Sequence, residues 1–213
     1  MRNDNLRIAI SGPNASGKTT LAKAISKKFA IPMIEEDLGV LFGAQKKLDQ
    51  LRSQSAPQEE VKSALGRWQE CFFEWAKSRE AAYSKYDSFV ADRWEADLLD
   101  IWLVLMRRLE NIDPQTVRLV RHLKAVAARM SFAILMPIAK PLSDVPNDAG
   151  LVRVASFSNR LLNSMTTAGI IFSLPNLNVL RMPAGLSSTD DQIKIVESAW
   201  SKDRTVNDTS ASV

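Results

Sequence analysis

The sequence is poor in the residues that most often carry metal and redox chemistry. It has one cysteine, Cys71, and one histidine, His122, in 213 residues. A single thiol can form no internal disulfide and no multi-cysteine metal site. Cys71 stands in an apolar helical pattern, which gives it the role of a core thiol. A lone histidine rules out a catalytic His pair or a His-rich metal centre, and His122, beside Arg121, reads as a surface residue. Long hydrophobic runs are also missing. The longest, residues 101–106, is far too short to cross a bilayer. The start, MRNDNLRIAI, is too short and polar for a signal peptide. These features lead us to expect a cytoplasmic protein with no membrane partner. The formal net charge is only +4. No block of arginine or lysine accompanies it, which argues against a nucleic-acid partner and suits a protein that handles phosphorylated ligands.

What is present is a phosphate-cradling motif. SGPNASGKTT, residues 11–20, contains Gly12-Pro13-Asn14-Ala15-Ser16-Gly17-Lys18-Thr19 and fits G-x-x-x-x-G-K-[ST]. Before it, Leu6 to Ser11 is a short apolar run that reads as a buried strand. After it, Leu21, Ala24, Ile25 and Phe29 fall at helical spacing between Thr19 and Ala30. A glycine-rich loop between strand and helix is the setting this motif requires. Backbone N–H groups from Asn14 through Ala15, Ser16, Gly17 and Lys18 to Thr19 can curl round a β-phosphate, with Thr20 in the same first turn. Gly12 and Gly17 permit close backbone approach. Lys18 reaches the β- and γ-phosphates, and Thr19 offers its hydroxyl to Mg²⁺. The expected ligands are ATP and Mg²⁺.

Strands and helices alternate through the rest of the chain. Residues 31–37 read as a second strand running into Glu35, Glu36 and Asp37. Residues 44–57 are polar, with Ser55 and Gln58 spaced as a capping box. A long helix follows, with an apolar stripe of Val61, Leu65, Trp68, Phe72 and Trp75 ending at Arg79, and core packing is the expected use of its aromatic rings. Residues 88–92 form a third strand ending at Asp92-Arg93. Residues 96–109 are apolar nearly all round and form a buried helix. Asp113-Pro114 opens another helix, to about Met130. Residues 132–137 are a fourth strand. Residues 138–152 are rich in Pro, Asp, Asn and Gly and read as irregular. A helix from about Ser156 stops at Gly169, residues 176–183 are a fifth strand, and Ser187 or Ser188 caps a last helix through Trp200. The polar residues 201–213 are expected to be a disordered tail. This alternation predicts an α/β fold: a parallel sheet with helices on both faces, as one domain over residues 1–200. The apolar helices at 61–82 and 96–109 fit a buried core or a homodimer surface equally well.

In such a sheet, ligands sit at the carboxyl ends of the strands. Asp92 can accept a proton from an attacking hydroxyl or hold magnesium. Arg93 can neutralise a transferring phosphoryl group or clamp its acceptor. Motor ATPases usually end this strand in Asp-Glu, so an arginine in that slot favours transfer over hydrolysis. Glu35 or Glu36 can hydrogen-bond a sugar hydroxyl or a ring nitrogen of an acceptor, and Trp94 and Asp97 can line the same pocket. Residues 138–160 read as a lid that closes over the triphosphate and brings arginine, Arg153 ahead of Arg160 and Lys140.

The order of these features resembles the P-loop nucleoside and nucleotide kinases. ADRWEADLLDIW (91–102) is similar to the Asp-Arg-aromatic segment of the thymidylate-kinase-like group. IPMIEEDLGVLF (31–42) and NDAGLVR (147–153) are similar to the glutamate strand and the Asp-Gly-x-Arg lid of the ATPase-like group containing the ribosylnicotinamide kinase domain. The chain departs from that group in having Leu38 and Gly39 where an arginine is expected, and in a longer lid. The resemblance implies a three-layer fold with five strands in the order 2-3-1-4-5. It also implies ATP-dependent phosphoryl transfer to a small hydroxyl- or phosphate-bearing acceptor. The alternative is a regulatory module that uses nucleotide occupancy as a switch, for which Arg93 and the lid arginines are not needed.

Overall fold

The structure is a computed structural model that describes residues 5–13, 15–106, 114–138, 157–185 and 188–209. Asn14, Asp113, Lys140, Arg153 and most of the expected lid lie outside the described residues, as does the side chain of Arg160. The chain divides into two compact units. One runs to Ile34 and resumes at Ser88; the other is Glu35–Asp87. The sequence shows no linker at either boundary, which is why it reads as one domain over residues 1–200.

The larger unit is built on five strands: β1 (Arg7–Ser11), β2 (Met33–Ile34), β3 (Phe89–Asp92), β4 (Phe132–Leu135) and β5 (Asn178–Arg181). All pairings are parallel, in the order β2-β3-β1-β4-β5. That is the expected fold and the expected strand order. β1 lies at the centre with no exposed residue, which is why its sequence is a continuous apolar run rather than an alternating one. Its register sets Ile10 beside Asp92 and Ser11 beside Leu135. The core joins Ile8 and Ile10 of β1, Val90 of β3, Phe132 and Ile134 of β4, and Leu21 and Ile25 of the first helix.

Among the described residues, five helices of this unit accompany the sheet. α1 (Lys18–Phe29) follows the glycine-rich loop, and the last helix of the chain packs on it, with Lys28 and Glu197 2.9 Å apart. α4 (Glu95–Met106) is buried from Glu95 through Asp100, as its all-round apolar sequence requires. It packs against α5 (Pro114–Ala127) and α6 (Phe157–Phe172). The indole N–H of Trp102 donates to Thr116 Oγ1 at 2.7 Å, tying α4 to α5. His122 joins the same contact: its Nε2 lies 3.5 Å from Oε1 of the fully buried Glu95, and its side chain is only 21% exposed. The surface role expected for it is therefore wrong. An apolar helix face with one acid in it draws the ring inward.

α6 passes through Gly169, where a stop was expected. A mid-helix glycine weakens a helix by about 1 kcal/mol but does not end it. The end comes where Pro175 follows and Asn176 takes a left-handed φ of 61°. α7 (Thr189–Thr209) is capped by Ser188, whose hydroxyl accepts the Asp191 N–H at 3.1 Å and donates to Asp191 Oδ2 at 2.7 Å. The helix runs past Trp200, so the polar stretch from Ser201 expected to be a tail begins as helix.

The smaller unit consists of α2 (Gly39–Ser53) and α3 (Gln58–Tyr83), packed on each other. The sequence reading missed most of α2 because its exposed face is polar. Its buried stripe is sparse, Leu41, Leu48 and Leu51. Ser55 does not cap α3 as expected. It sits at φ 50° and ends α2, with the Ala56 N–H reaching Leu51 O at 3.0 Å, the bond that closes a left-handed helix terminus. α3 opens instead at Pro57, with Glu59 and Glu60 in its first turn, where the helix dipole favours acids. Trp68, Phe72 and Trp75 are buried, with successive ring centroids 5.5 and 6.4 Å apart, so packing is their role. The Arg79 guanidinium is held over the rings of Trp75 and Tyr83 and donates to the carbonyl of Glu35.

Candidate active site

The site grows out of the carboxyl end of β1. Gly12 has φ 145°, and a Cβ placed there would lie 2.8 Å from Met136 Cβ and 2.9 Å from Met136 O. No other residue fits between β1 and the end of β4. Ala15 at φ 58° and Gly17 at φ 89° are also left-handed, so the loop curls back on itself before entering α1. No acid stands in the first turn of α1, and the first helical bond to the loop is Leu21 N–H to Gly17 O at 2.9 Å. The amides of Lys18, Thr19 and Thr20 therefore precede the ladder at a positive helix end, which suits an anion. Gly17, Thr19 and Thr20 are exposed, while Gly12, Ser16 and Lys18 are buried. The hydroxyl of Ser16 has no hydrogen-bond partner among the described residues. The Lys18 ammonium donates to Gly12 O and Pro13 O, both at 2.8 Å, and is thereby held across the loop.

β3 supplies the next two groups. Thr19 Oγ1 donates to Asp92 Oδ2 at 2.6 Å, joining the first turn of α1 to the end of β3. A hydroxyl and a carboxylate this close are hard oxygen donors of the kind magnesium takes together with phosphate oxygens. Among the described residues no three His, Cys, Asp or Glu gather as a metal cage. Thr19 and Asp92 thus fit magnesium. Arg93 follows with a left-handed φ of 57° and its N–H bonded to Ile10 O at 3.1 Å. A bulky residue in that conformation is strained by about 1 kcal/mol or more, so the surrounding bonds impose it.

Asp97 is the surprise. We expected it to line an acceptor pocket. Its carboxylate is instead buried and committed to the loop and its flank. Oδ2 accepts from the Ser11 hydroxyl at 2.7 Å and from the Trp94 N–H at 3.4 Å. Oδ1 accepts from the Gly12 N–H at 3.3 Å and lies 3.7 Å from the Arg93 guanidinium. The Trp94 indole N–H closes the group on Ser11 Oγ at 2.7 Å. One turn further along α4 is Asp100, which the sequence reading did not single out. Its carboxyl is buried and pushed up to about 7, first by loss of water and then by the charge of Asp97, against the opposing pull of Arg93 and a hydrogen bond from Thr166. The overlooked signal was the acids themselves. Glu95, Asp97 and Asp100 stand in a helix apolar enough to be buried all round, so neighbours must satisfy them.

The structure thus brings Gly12, Ala15, Ser16, Gly17, Lys18, Thr19, Thr20, Asp92, Arg93 and Asp97 together at the carboxyl ends of β1 and β3. Asn14 and Arg153 lie outside the described residues. Glu35, exposed, and Glu36, half-buried, belong to the smaller unit.

No protein-family model matches the chain, and the curated proteins give no match. Solved structures do. Deoxyadenosine kinase from M. mycoides with the products dCMP and a flexible dCDP bound is 14% identical, with TM-score 0.60, over 92% of this chain and 100% of that one. The same kinase with bound dCTP gives 13% identity and TM-score 0.56 over 92% and 100% of the two chains. The YorR protein from Bacillus subtilis, in complex with phosphorylated GDP, is 17% identical, with TM-score 0.51, over 89% and 95%. Together with the strand order and the glycine-rich loop, these likenesses show that the chain has the fold of the P-loop nucleoside kinases.

Proposed function

We propose that this protein transfers the terminal phosphoryl group of ATP to a small acceptor, a nucleoside, a nucleotide or a related metabolite. The observation that carries the reading is the 2.6 Å contact between Thr19 and Asp92 beside the phosphate loop, with an arginine rather than a glutamate next in sequence. A hydrolytic site needs a carboxylate to orient water at that place. Here an arginine occupies it, a group suited to the charge of a phosphoryl in transit.

In this reading the loop amides and the positive end of α1 bind the β-phosphate. Lys18 exchanges its two loop carbonyls for phosphate oxygens. Thr19 and Asp92 would hold magnesium, which when bound neutralises charge on the β- and γ-phosphates. Asp92 otherwise takes the proton that the acceptor hydroxyl loses as its oxygen bonds phosphorus and the bond to ADP breaks. Arg93, and Arg153 from a lid over residues 138–160, offset charge on the three phosphoryl oxygens. Glu35 or Glu36 fixes the acceptor. The nucleotides named in the neighbouring structures make nucleosides and nucleoside monophosphates the first acceptors to try.

The test is ADP formation from ATP·Mg²⁺ with and without a panel of nucleosides, nucleoside monophosphates and ribosylnicotinamide. Strong stimulation by one acceptor, abolished in Asp92→Asn, is the expected result. ATP binding with no stimulation by any acceptor would sink the transferase reading in favour of a nucleotide-binding regulatory module.

A further inference from the structure

We infer that Asp97 is a positioning residue that couples the conformation of the phosphate loop to the placement of Arg93. This rests on the proposed role of Arg93 at the γ-phosphate. The inference comes from how one carboxylate is shared. A single oxygen, Oδ1, faces both the Gly12 N–H at 3.3 Å and the Arg93 guanidinium at 3.7 Å. Its companion, Oδ2, takes the Ser11 hydroxyl at 2.7 Å and the Trp94 N–H at 3.4 Å. The residue that opens the loop and the residue that follows Asp92 therefore have a common acceptor.

The group is closed off from water. Asp97 is 3% exposed and Trp94 is fully buried, so water cannot replace a contact that is lost. The backbone on each side takes a left-handed φ, 145° at Gly12, where only glycine fits without cost, and 57° at Arg93, where it is strained. Charge-assisted hydrogen bonds in a dry site are short-ranged and directional. A shift of the loop that turns the Gly12 N–H away strengthens the hold of Oδ1 on Arg93. A shift of Arg93 toward a γ-phosphate frees Oδ1 for Gly12. Asp97 touches neither a phosphate nor an acceptor in this scheme. It sets where Arg93 stands when the loop is filled.

A brace of the loop alone would weaken ATP and ADP binding equally. A residue that also places Arg93 must affect ATP more, because only ATP carries the γ-phosphate. The experiment is calorimetric titration of ATP and of ADP, each with Mg²⁺, into the wild type, Asp97→Asn, Arg93→Ala and the double variant. Wild type is expected to prefer ATP. Arg93→Ala and Asp97→Asn should each lose about tenfold of that preference, the worth of one charge-assisted contact. The double variant should lose no more than either alone. Equal weakening of ATP and ADP in Asp97→Asn, or single effects that multiply in the double variant, would overturn the coupling. If Asp97→Asn fails to fold, hydrogen exchange at the Gly12 amide decides. Arg93→Ala, which keeps Asp97, should change the exchange rate of that amide, and an unchanged rate overturns the inference. None of these readouts needs turnover. A wild type that prefers ATP yet phosphorylates no acceptor would refute the transferase reading while leaving the coupling intact.

Discussion

Replacing Asp100 by asparagine should make the protein more stable, and only above about pH 4. The Asp100 carboxyl is buried on α4, beside Asp97 and Arg93, and its pKa is raised from 3.8 to about 7. Loss of water is the largest cause and the neighbouring Asp97 charge the next. Between those two values the native state keeps a proton that the unfolded chain has released. The unfolded state then binds fewer protons, so stability falls as pH rises through this window and levels off above it. The window is about three pH units wide. At about 1.4 kcal/mol per unit it places a ceiling of roughly 4 kcal/mol on the loss. Asparagine keeps the shape and can still accept from Thr166 but cannot ionise. Urea unfolding at constant ionic strength, from pH 4.5 to 8.5, should show the variant near wild type at the acid end and gaining steadily to about pH 7. Titrating groups remote from Asp100 are common to both proteins and cancel in the difference. A difference that does not vary with pH would refute the reasoning, because then Asp100 holds no extra proton in the native state.

Three further outcomes follow from the geometry of the loop and its supports. Gly12→Ala should destabilise the fold by about 2–4 kcal/mol and abolish nucleotide binding, since its Cβ meets Met136 Cβ at 2.8 Å and Met136 O at 2.9 Å; thermal unfolding and an ADP titration check it. Thr19→Val removes the hydroxyl 2.6 Å from Asp92 at nearly constant volume. It should weaken Mg²⁺-dependent ATP binding about tenfold and leave metal-free ADP binding within about twofold, by calorimetry. Ser55→Gly relieves the left-handed φ of 50° at the end of α2 and should raise stability by about 0.5–1 kcal/mol, read as a higher Tm.

The parts of the fold readable in the sequence were those where burial is nearly total. β1 and β3 are continuous apolar runs because both faces of the sheet are covered there, and the loop between β1 and α1 is a motif whose glycines have steric work to do. The parts that were missed are those where burial is partial. α2 buries only Leu41, Leu48 and Leu51 on an otherwise polar helix, so it read as a loop. Ser55 looked like a cap because serine caps helices often, but which helix it serves depends on its backbone angle. Gly169 looked like a stop because glycine often is one, yet α6 runs through it to Phe172.

The acids of α4 show the same limit at the site. Asp92 ends β3 with Arg93 next, the place expected for them from the sequence. Asp97 was identified too, but as a ligand of the acceptor, and Asp100 was passed over. Spacing on a helix shows which residues share a face. It does not show whether that face meets solvent, substrate or a neighbouring loop. One further inference was open from sequence alone. A helix buried on every side leaves its acids no water, so each must be answered by a partner or keep its proton. Glu95 lies 3.5 Å from His122, Asp97 takes the loop and Arg93, and Asp100 is left with Thr166 and a raised pKa. Acids in an apolar helix just after a strand end are therefore expected to be held by their protein neighbours, as Asp97 is.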